Sequence, residues 1–133
     1  MDFSAISWLG VVLGAIAFFM VGGIWYGPLF GKAWMRASGV TEEEAQGSSL
    51  PLVFAGTLLL TFLAGIALAA IIGAGASVTL GMWIGALVGV LLAGTALAVQ
   101  ALYERRSLAL LALGLGYNIL GFIAMGAVIA AFQ

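Results

Sequence analysis

The chain has 133 residues, of which 65% are hydrophobic and only 7% are charged, and its mean hydropathy is +1.27. Because about a quarter of the residues in a soluble domain are charged, this composition excludes a soluble protein and predicts an integral membrane protein. The formal net charge of −1 also excludes the basic surface that nucleic-acid binding requires.

The charged residues mark the boundaries of four long apolar segments. They occur only at Asp2, between residues 32 and 44, and in the triplet at residues 104–106. A charge at the centre of a membrane helix costs about 2.5 to 3.5 kcal/mol, and about 20 apolar residues suffice to cross the bilayer. The gaps therefore predict an all-α fold, in which a single membrane domain over residues 1–133 is a four-transmembrane-helix bundle. The predicted helices cover residues 6–26, 50–72, 78–102 and 108–132.

Aromatic and basic residues cluster around the end of the first predicted helix. On a helical wheel, Phe30 and Trp34 share one side, whereas Lys32 and Arg36 lie on the opposite side. This pattern predicts a short interfacial helix in the loop at residues 27–49, with its apolar side in the headgroup boundary of the membrane. The predicted interfacial anchors are Trp25, Tyr26, Phe30, Lys32, Trp34 and Arg36.

The second half of this loop contains a helix-capping pattern. Thr41 and Glu44 have the spacing of a capping box, in which two side chains accept hydrogen bonds from the first backbone N–H groups of a helix. Negative charge in a first helical turn is also favoured by the helix dipole. The pattern predicts a short helical turn that ends near Gly47.

The distribution of basic residues predicts an orientation. All four Lys and Arg residues lie on the loops after the first and third predicted helices, and none lies at the termini or in the turn at residues 73–77. By the positive-inside rule, the loops at residues 27–49 and 103–107 are cytoplasmic. Both termini are then expected outside.

Small residues recur at every fourth position of two predicted helices. Gly81, Gly85 and Gly89, followed by Ala93, form a stripe on the third helix, and Gly65 belongs to a similar stripe on the second. In lipid, such stripes allow two helix backbones to approach closely and gain dispersion contacts. Two interpretations stay open: the stripes pack helices within one chain, or one of them is the interface of a homo-oligomer.

Few polar residues fall within the predicted helices. Candidates for contact with a pore or a ligand are Asn118 and Tyr117 on the fourth helix, together with Thr57 and Thr61 on the second. Asn118 is the strongest candidate, because an amide near the middle of a membrane helix needs a partner to offset its lost solvation. The alternative interpretation is that Asn118 forms hydrogen bonds between helices and holds the bundle together.

Residue types with catalytic chemistry are scarce. The chain has no histidine and no cysteine, and no acidic residue lies within a predicted helix. A general base, an activated nucleophile and a conventional metal cluster are therefore missing at membrane depth. The sequence predicts that the protein is not an enzyme and has no catalytic residue, no metal site and no cofactor.

One segment resembles a known family. The stretch from Trp25 to Met35, WYGPLFGKAWM, is similar to the hallmark segment of the domain of unknown function 1761 family of small bacterial membrane proteins. The resemblance extends to the acidic turn at residues 41–44, the loop at residues 104–106 and the Gly116–Tyr117 region. It implies a four-helix membrane fold and carries no established activity.

Two functional hypotheses remain from the sequence. In the first, the protein is an oligomeric channel, carrier or binding protein for a small solute or lipid, located in the bacterial inner membrane. In the second, it is an accessory or structural subunit of a larger membrane complex. The partners expected in the first case are membrane lipids and further copies of the same chain.

Overall fold

The computed structural model describes residues 1–41, 43–44 and 50–133 of the chain. Within these residues, five helices have eight residues or more, and there is no β-strand. They are α1 (Trp8–Ile24), α2 (Gly31–Ser38), α3 (Leu50–Ile72), α4 (Val78–Glu104) and α5 (Leu108–Phe132). The predicted all-α fold, with four long apolar helices and a short helix after the first, is confirmed.

Four of the described helices are long and apolar enough to cross a membrane. They cover Trp8–Leu29, Pro51–Ile72, Val78–Glu104 and Leu108–Phe132, with hydropathies between 2.0 and 2.3. Large apolar side chains such as Leu52 and Trp83 are mostly exposed on the outer surface. Such a surface is stable in hydrocarbon and costly in water. The chain is a multi-pass membrane protein.

The first span ends in an irregular turn that contains a proline. Helix α1 begins at Trp8, slightly later than predicted, because the Ser7 hydroxyl caps it by accepting a hydrogen bond from the Gly10 N–H at 3.1 Å. After Ile24 the chain continues as a π-helical turn over Trp25–Leu29 that includes Pro28. The proline lacks an N–H, so an ordinary α-helical ladder cannot continue through it.

Helix α4 contains a wider turn at its centre. Residues Val78–Leu87 and Thr95–Glu104 are α-helical, and the intervening Val88–Gly94 is π-helical. A π-turn adds one residue to the helix and rotates the residues that follow it. The buried stripe therefore continues at Gly94, and the predicted member Ala93 is only half-buried.

The long helices pack around α5. Helices α1 and α4 make the most extensive contacts with it, while α3 packs mainly on α1. The turn between α3 and α4 has positive φ angles at Gly73 (72°) and Gly75 (76°), which glycine adopts without strain. The core lies toward this turn and includes Val11, Phe18, Leu68, Met125 and Ile129.

Gln133 ties three helix ends together beside this turn. Its side-chain N–H group donates hydrogen bonds to the carbonyl oxygens of Ala69 (3.1 Å) and Gly73 (2.9 Å). Its side-chain oxygen accepts a hydrogen bond from the Ser7 N–H at 3.1 Å. The last carbonyls of a helix have no partner within the helix. This amide gives the Gly73 carbonyl a partner and adds a second donor to the Ala69 carbonyl, which already accepts from the Gly73 N–H.

One of the two hydrogen bonds of the predicted capping box after α2 is observed. The Thr41 hydroxyl accepts a hydrogen bond from the Glu44 N–H at 3.1 Å. The predicted end of this turn near Gly47, and the rest of residues 45–49, lie outside the described residues. At the other loop, Arg105 has a positive φ of 54° and reverses the chain between α4 and α5.

Candidate functional site

Aromatic rings and glycines face each other along the contact between α1 and α5. The ring of Phe18 lies against Gly121, where an added β-carbon would be 2.7 Å from Phe18 Cζ. Conversely, the ring of Tyr117 on α5 lies against Gly22 on α1, where an added β-carbon would be 2.9 Å from the ring. The Phe18 and Tyr117 rings meet edge to face with centroids 5.2 Å apart. Each of these glycines makes room for a ring of the facing helix.

Trp25 joins the end of α1 to the first half of α5. Its indole N–H donates a hydrogen bond to the Leu113 carbonyl at 3.0 Å. A β-carbon at Gly116 would lie only 2.5 Å from Trp25 Cζ2, so the ring rests directly on the backbone of α5. The Phe30 N–H donates to the Trp25 carbonyl at 2.8 Å, which closes the π-turn.

A cavity of about 490 Å³ lies between α1, α3 and α5 at the end of the bundle that contains α2. Its walls carry mostly aromatic rings, glycines and aliphatic groups. The lining residues are Phe19, Gly22, Gly23, Tyr26, Gly27, Val53, Phe54, Thr57 and Tyr117. An added β-carbon at Gly23 or Gly27 would meet no atom within 4 Å, so these two glycines keep the space open.

The polar groups at the cavity are three hydroxyls. The Thr57 hydroxyl donates to the Val53 carbonyl of its own helix at 2.7 Å. Among the described residues, no protein group bonds to the hydroxyl of Tyr26 or Tyr117, whose ring centroids are 5.2 Å apart. No charged side chain of the described part lines the cavity. The site is therefore suited to an apolar body with one hydrogen-bonding group.

Two of the four predicted contact residues lie in this cavity and two lie outside it. Tyr117 and Thr57 line the wall. Thr61 is buried, and its hydroxyl donates to the Thr57 carbonyl at 2.8 Å. Asn118 points its amide N–H at the Gly114 carbonyl of its own helix, at 2.9 Å. In the structure the Asn118 amide is thus paired within α5, and its role as a ligand contact or as a link between helices stays a prediction.

A comparison with protein families identifies the chain. The model of the family described as "Protein of unknown function (DUF1761)" matches residues 9–130. The chain belongs to the DUF1761 family. No curated protein and no solved structure matches it.

Segments that carried the resemblance to DUF1761 meet in the structure. The WYGPLFGKAWM segment supplies Trp25 and Tyr26, and the Gly116–Tyr117 pair lies opposite them on α5. Trp25 rests on Gly116, while Tyr26 packs against Tyr117. In this DUF1761 protein the two segments form one contact, and that contact provides one wall of the cavity.

The predicted interfacial anchors divide into two groups. Phe30 and Trp34 are half-buried, whereas Lys32 and Arg36 are exposed, as expected for an amphipathic α2. Tyr26 lines the cavity, with its ring centroid 6.3 Å from that of Trp34. The position of α2 in the headgroup region stays a prediction.

The glycine stripe of α4 faces α5 within the same chain. A β-carbon at Gly85 would collide with the backbone of Phe122, and one at Gly89 would lie 2.9 Å from the Ile119 α-carbon. At Gly81 it would lie 2.5 Å from the β-carbon of Ala130. These backbones are in direct contact, so this stripe is covered by α5.

Gly65 belongs to the α3–α1 contact. It is buried, and an added β-carbon would lie 3.1 Å from Val11 Cγ1. The stripe on α3 therefore also serves packing within the chain at this position. Its first member, Thr57, instead faces the cavity.

Sequence reasoning missed the glycines and phenylalanines of the cavity wall. Gly23 and Gly27 are one turn apart in a segment where each glycine costs about 1 kcal/mol relative to alanine. This cost could have pointed to the two positions, because a residue that destabilises a helix needs another role to compensate. Phe19 and Phe54, which meet edge to face at 5.4 Å, have no signal that separates them from ordinary lipid-facing residues.

Proposed function

We propose that this DUF1761 protein binds a small, largely apolar molecule with one polar group, such as a lipid, in the cavity between α1 and α3. The observation that carries the proposal is the cavity of about 490 Å³, whose mostly apolar wall carries two tyrosine hydroxyls and the Thr57 hydroxyl, which is bonded to its own helix. Ligand sites commonly combine predominantly apolar walls with a small number of polar groups that fix orientation. In this cavity the two tyrosine hydroxyls are the polar groups that fix the orientation of the ligand.

The chemistry of the wall favours a neutral ligand over an ion. An ion that enters an apolar site loses its hydration shell, and hydroxyl groups alone replace little of it. The described lining residues offer no countercharge. Binding or carriage of a neutral molecule is therefore better supported than ion conduction.

The cavity has access to lipid. Val53 and Phe54 on its α3 wall are about half exposed, at 51% and 48%. In a bilayer this exposed surface faces hydrocarbon, so a ligand enters sideways from the membrane. We propose binding without catalysis, because the lining groups include no acid, base or thiol that is charged or activated at neutral pH.

The test is photolabelling in phosphatidylcholine nanodiscs with a long-chain alcohol that carries a diazirine. Labelled peptides are identified by mass spectrometry. We expect labelling concentrated on residues 19–27 and 53–57, and we expect Gly23→Leu to remove it because leucine fills the cavity. The β-carbon of the new side chain would meet no atom within 4 Å.

Gly56→Leu is the matched control. Gly56 also has open space and lies on α3, but it does not line the cavity. Labelling should persist in this variant. Labelling spread evenly over all lipid-facing surfaces, and unchanged by Gly23→Leu, would overturn the proposal.

We further propose that the protein lies in the bacterial inner membrane with the loops at residues 27–49 and 103–107 in the cytoplasm. The support is the position of all four Lys and Arg residues at one end of the helices. Because the chain has no cysteine, single cysteines at Ser38 and Ser77 can be labelled without background. Ser38→Cys should react from the cytoplasmic side and Ser77→Cys from the outside; the reverse pattern contradicts this orientation.

We also propose that the protein forms a homo-oligomer. Gly114 on α5 has open space at its α-carbon, which leaves a small-residue patch for a second copy. Mass measurement in mild detergent should find a multiple of the 13.6 kDa chain. A monomer recovered only together with another protein would instead support an accessory subunit.

A further inference from the structure

An apolar groove follows α5 on the other side of α1 from the cavity. It consists of two successive hollows of about 390 and 400 Å³, and Trp25, which rests on Gly116 between them, lines both. One hollow is lined by Ala109 and Ala112 of α5, and the other extends to Leu120 and Ala127. At a rise of 1.5 Å per residue, Ala109 and Ala127 are about 27 Å apart along the helix. We call this surface, from Ala109 to Ala127 beside Trp25, the Trp25 groove.

The Trp25 groove and the cavity use different faces of α1. Val21 and Ile24 line the groove, whereas Gly22 and Gly23 line the cavity. Neighbouring residues of an α-helix point about 100° apart, so these sets lie on separate sides of the helix. The groove is therefore independent of the ligand site proposed above.

The segments that form one end of the Trp25 groove carry basic residues. Ala33 of α2 lines this end, and on the same helix Lys32 and Arg36 are exposed. On the other wall, Ala109 lies in the first turn of α5, immediately after the exposed Arg105 and Arg106. All four basic residues of the chain thus belong to the two segments, α2 and the loop before α5, that adjoin the groove end.

Ion pairs among the described residues cancel only part of this charge. Glu104 forms an ion pair with Arg106 at 2.6 Å, the one such pair among the described residues. Glu44 comes after α2 has ended at the left-handed Gly39. Lys32, Arg36 and Arg105 therefore have no carboxylate partner within the described part of the chain.

We propose that the Trp25 groove binds an anionic phospholipid, with an acyl chain along α5 and the phosphate beside Lys32, Arg36 and Arg105. The apolar groove matches the acyl chain, and the cations at its end match the headgroup charge. A basic residue near a membrane surface attracts anionic lipid by about fivefold in affinity. Selectivity for phosphatidylglycerol over phosphatidylethanolamine follows from these three charges.

The test is native mass spectrometry of the intact protein titrated with phosphatidylglycerol or phosphatidylethanolamine of identical acyl chains. The wild type should prefer phosphatidylglycerol by at least about tenfold. The triple variant Lys32→Gln, Arg36→Gln, Arg105→Asn should bind both lipids equally. Asparagine is chosen at Arg105 because it tolerates the positive φ there.

Two matched controls separate headgroup recognition from groove shape. The charge-conserving variant Lys32→Arg, Arg36→Lys, Arg105→Lys should keep the preference. Ala112→Phe, which fills the groove, should weaken the binding of both lipids. Ala55→Phe, on the exposed surface of α3, should weaken the binding of neither.

Three results would overturn the proposal. The first is equal affinity of the wild type for the two lipids. The second is competition by inorganic phosphate, which would indicate a headgroup site without the groove. The third is a disulfide between copies formed through Ala112→Cys, which would place a second chain in the groove. Gly23→Leu should leave the lipid preference unchanged, so failure of the cavity proposal and failure of this one are distinguishable.

Discussion

The indole ring of Trp25 rests on the α-carbon of Gly116, and its N–H bonds to the Leu113 carbonyl one turn earlier on the same helix. This pair fixes the end of the first span to α5 and lies between the cavity on one side and the Trp25 groove on the other. A change at either residue is therefore expected to affect both surfaces.

We expect Gly116→Ala to destabilise the protein, because the new β-carbon would lie 2.5 Å from Trp25 Cζ2 and displace the ring. Overpacking of this kind costs about 1 to 3 kcal/mol. Reversible unfolding in mixed micelles measures the effect. Gly114→Ala has open space and should be neutral or stabilising. In a Trp25→Leu background the cost of Gly116→Ala should largely disappear; an unchanged cost would contradict the contact.

Gly85→Ala tests the close approach of α4 and α5. The added β-carbon would meet the Phe122 carbonyl group, which is backbone and cannot rotate away. The helices must then separate, at a cost of about 1 to 3 kcal/mol that exceeds the gain of about 1 kcal/mol from alanine's helix propensity. Gly56→Ala is the control: its β-carbon meets no atom within 4 Å, so it measures the effect of alanine's helix propensity alone. Equal unfolding free energies for the two variants would mean that α4 does not pack this closely.

Gln133→Leu removes the amide that joins α1, α3 and α5. The carbonyls of Ala69 and Gly73 and the N–H of Ser7 would each lose a hydrogen bond. We expect the free energy of unfolding to fall by roughly 1 to 3 kcal/mol. Gln100→Leu is the control, since Gln100 is exposed and bonds only to Glu104. Hydrogen exchange at Ser7 should also accelerate in Gln133→Leu alone.

Asn118→Leu is expected to leave diazirine labelling of the cavity unchanged. Its amide is bonded to the Gly114 carbonyl and does not line the cavity. Tyr117→Leu, one residue earlier, removes a wall hydroxyl and should reduce labelling by the alcohol. A loss of labelling in Asn118→Leu would mean that this amide reaches the ligand.

The helix bounds could be predicted from the sequence because each charge is costly in lipid. The predicted second and fourth helices coincide with Leu50–Ile72 and Leu108–Phe132, and Ser77 and Ser107 cap the helices that follow them. Serine at these positions satisfies backbone N–H groups that the helix leaves unpaired.

The pairing of faces and the cavity could not be predicted in the same way. Glycine stripes occur on several helices, and spacing alone does not say whether a glycine faces a backbone, as at Gly85, a ring, as at Gly116, or empty space, as at Gly23. The cavity results from incomplete packing between α1 and α3. Hydrophobicity carries little information about such packing when every surface, inside and out, is apolar.

The π-helical segment Val88–Gly94 divides α4 into two α-helical parts, and the spacing of the buried positions changes between them. Before it, the positions that contact α5 are four residues apart; after it, the register has moved by one, so that Gly94 and Ala101 are buried. If the segment were wound as an ordinary α-helix with all its residues kept, the end of the helix would turn by about 100°. Glu104 and the adjoining arginines would then sit at a different azimuth around the bundle. One residue in the middle of the bilayer thus sets where the charges at its edge are presented.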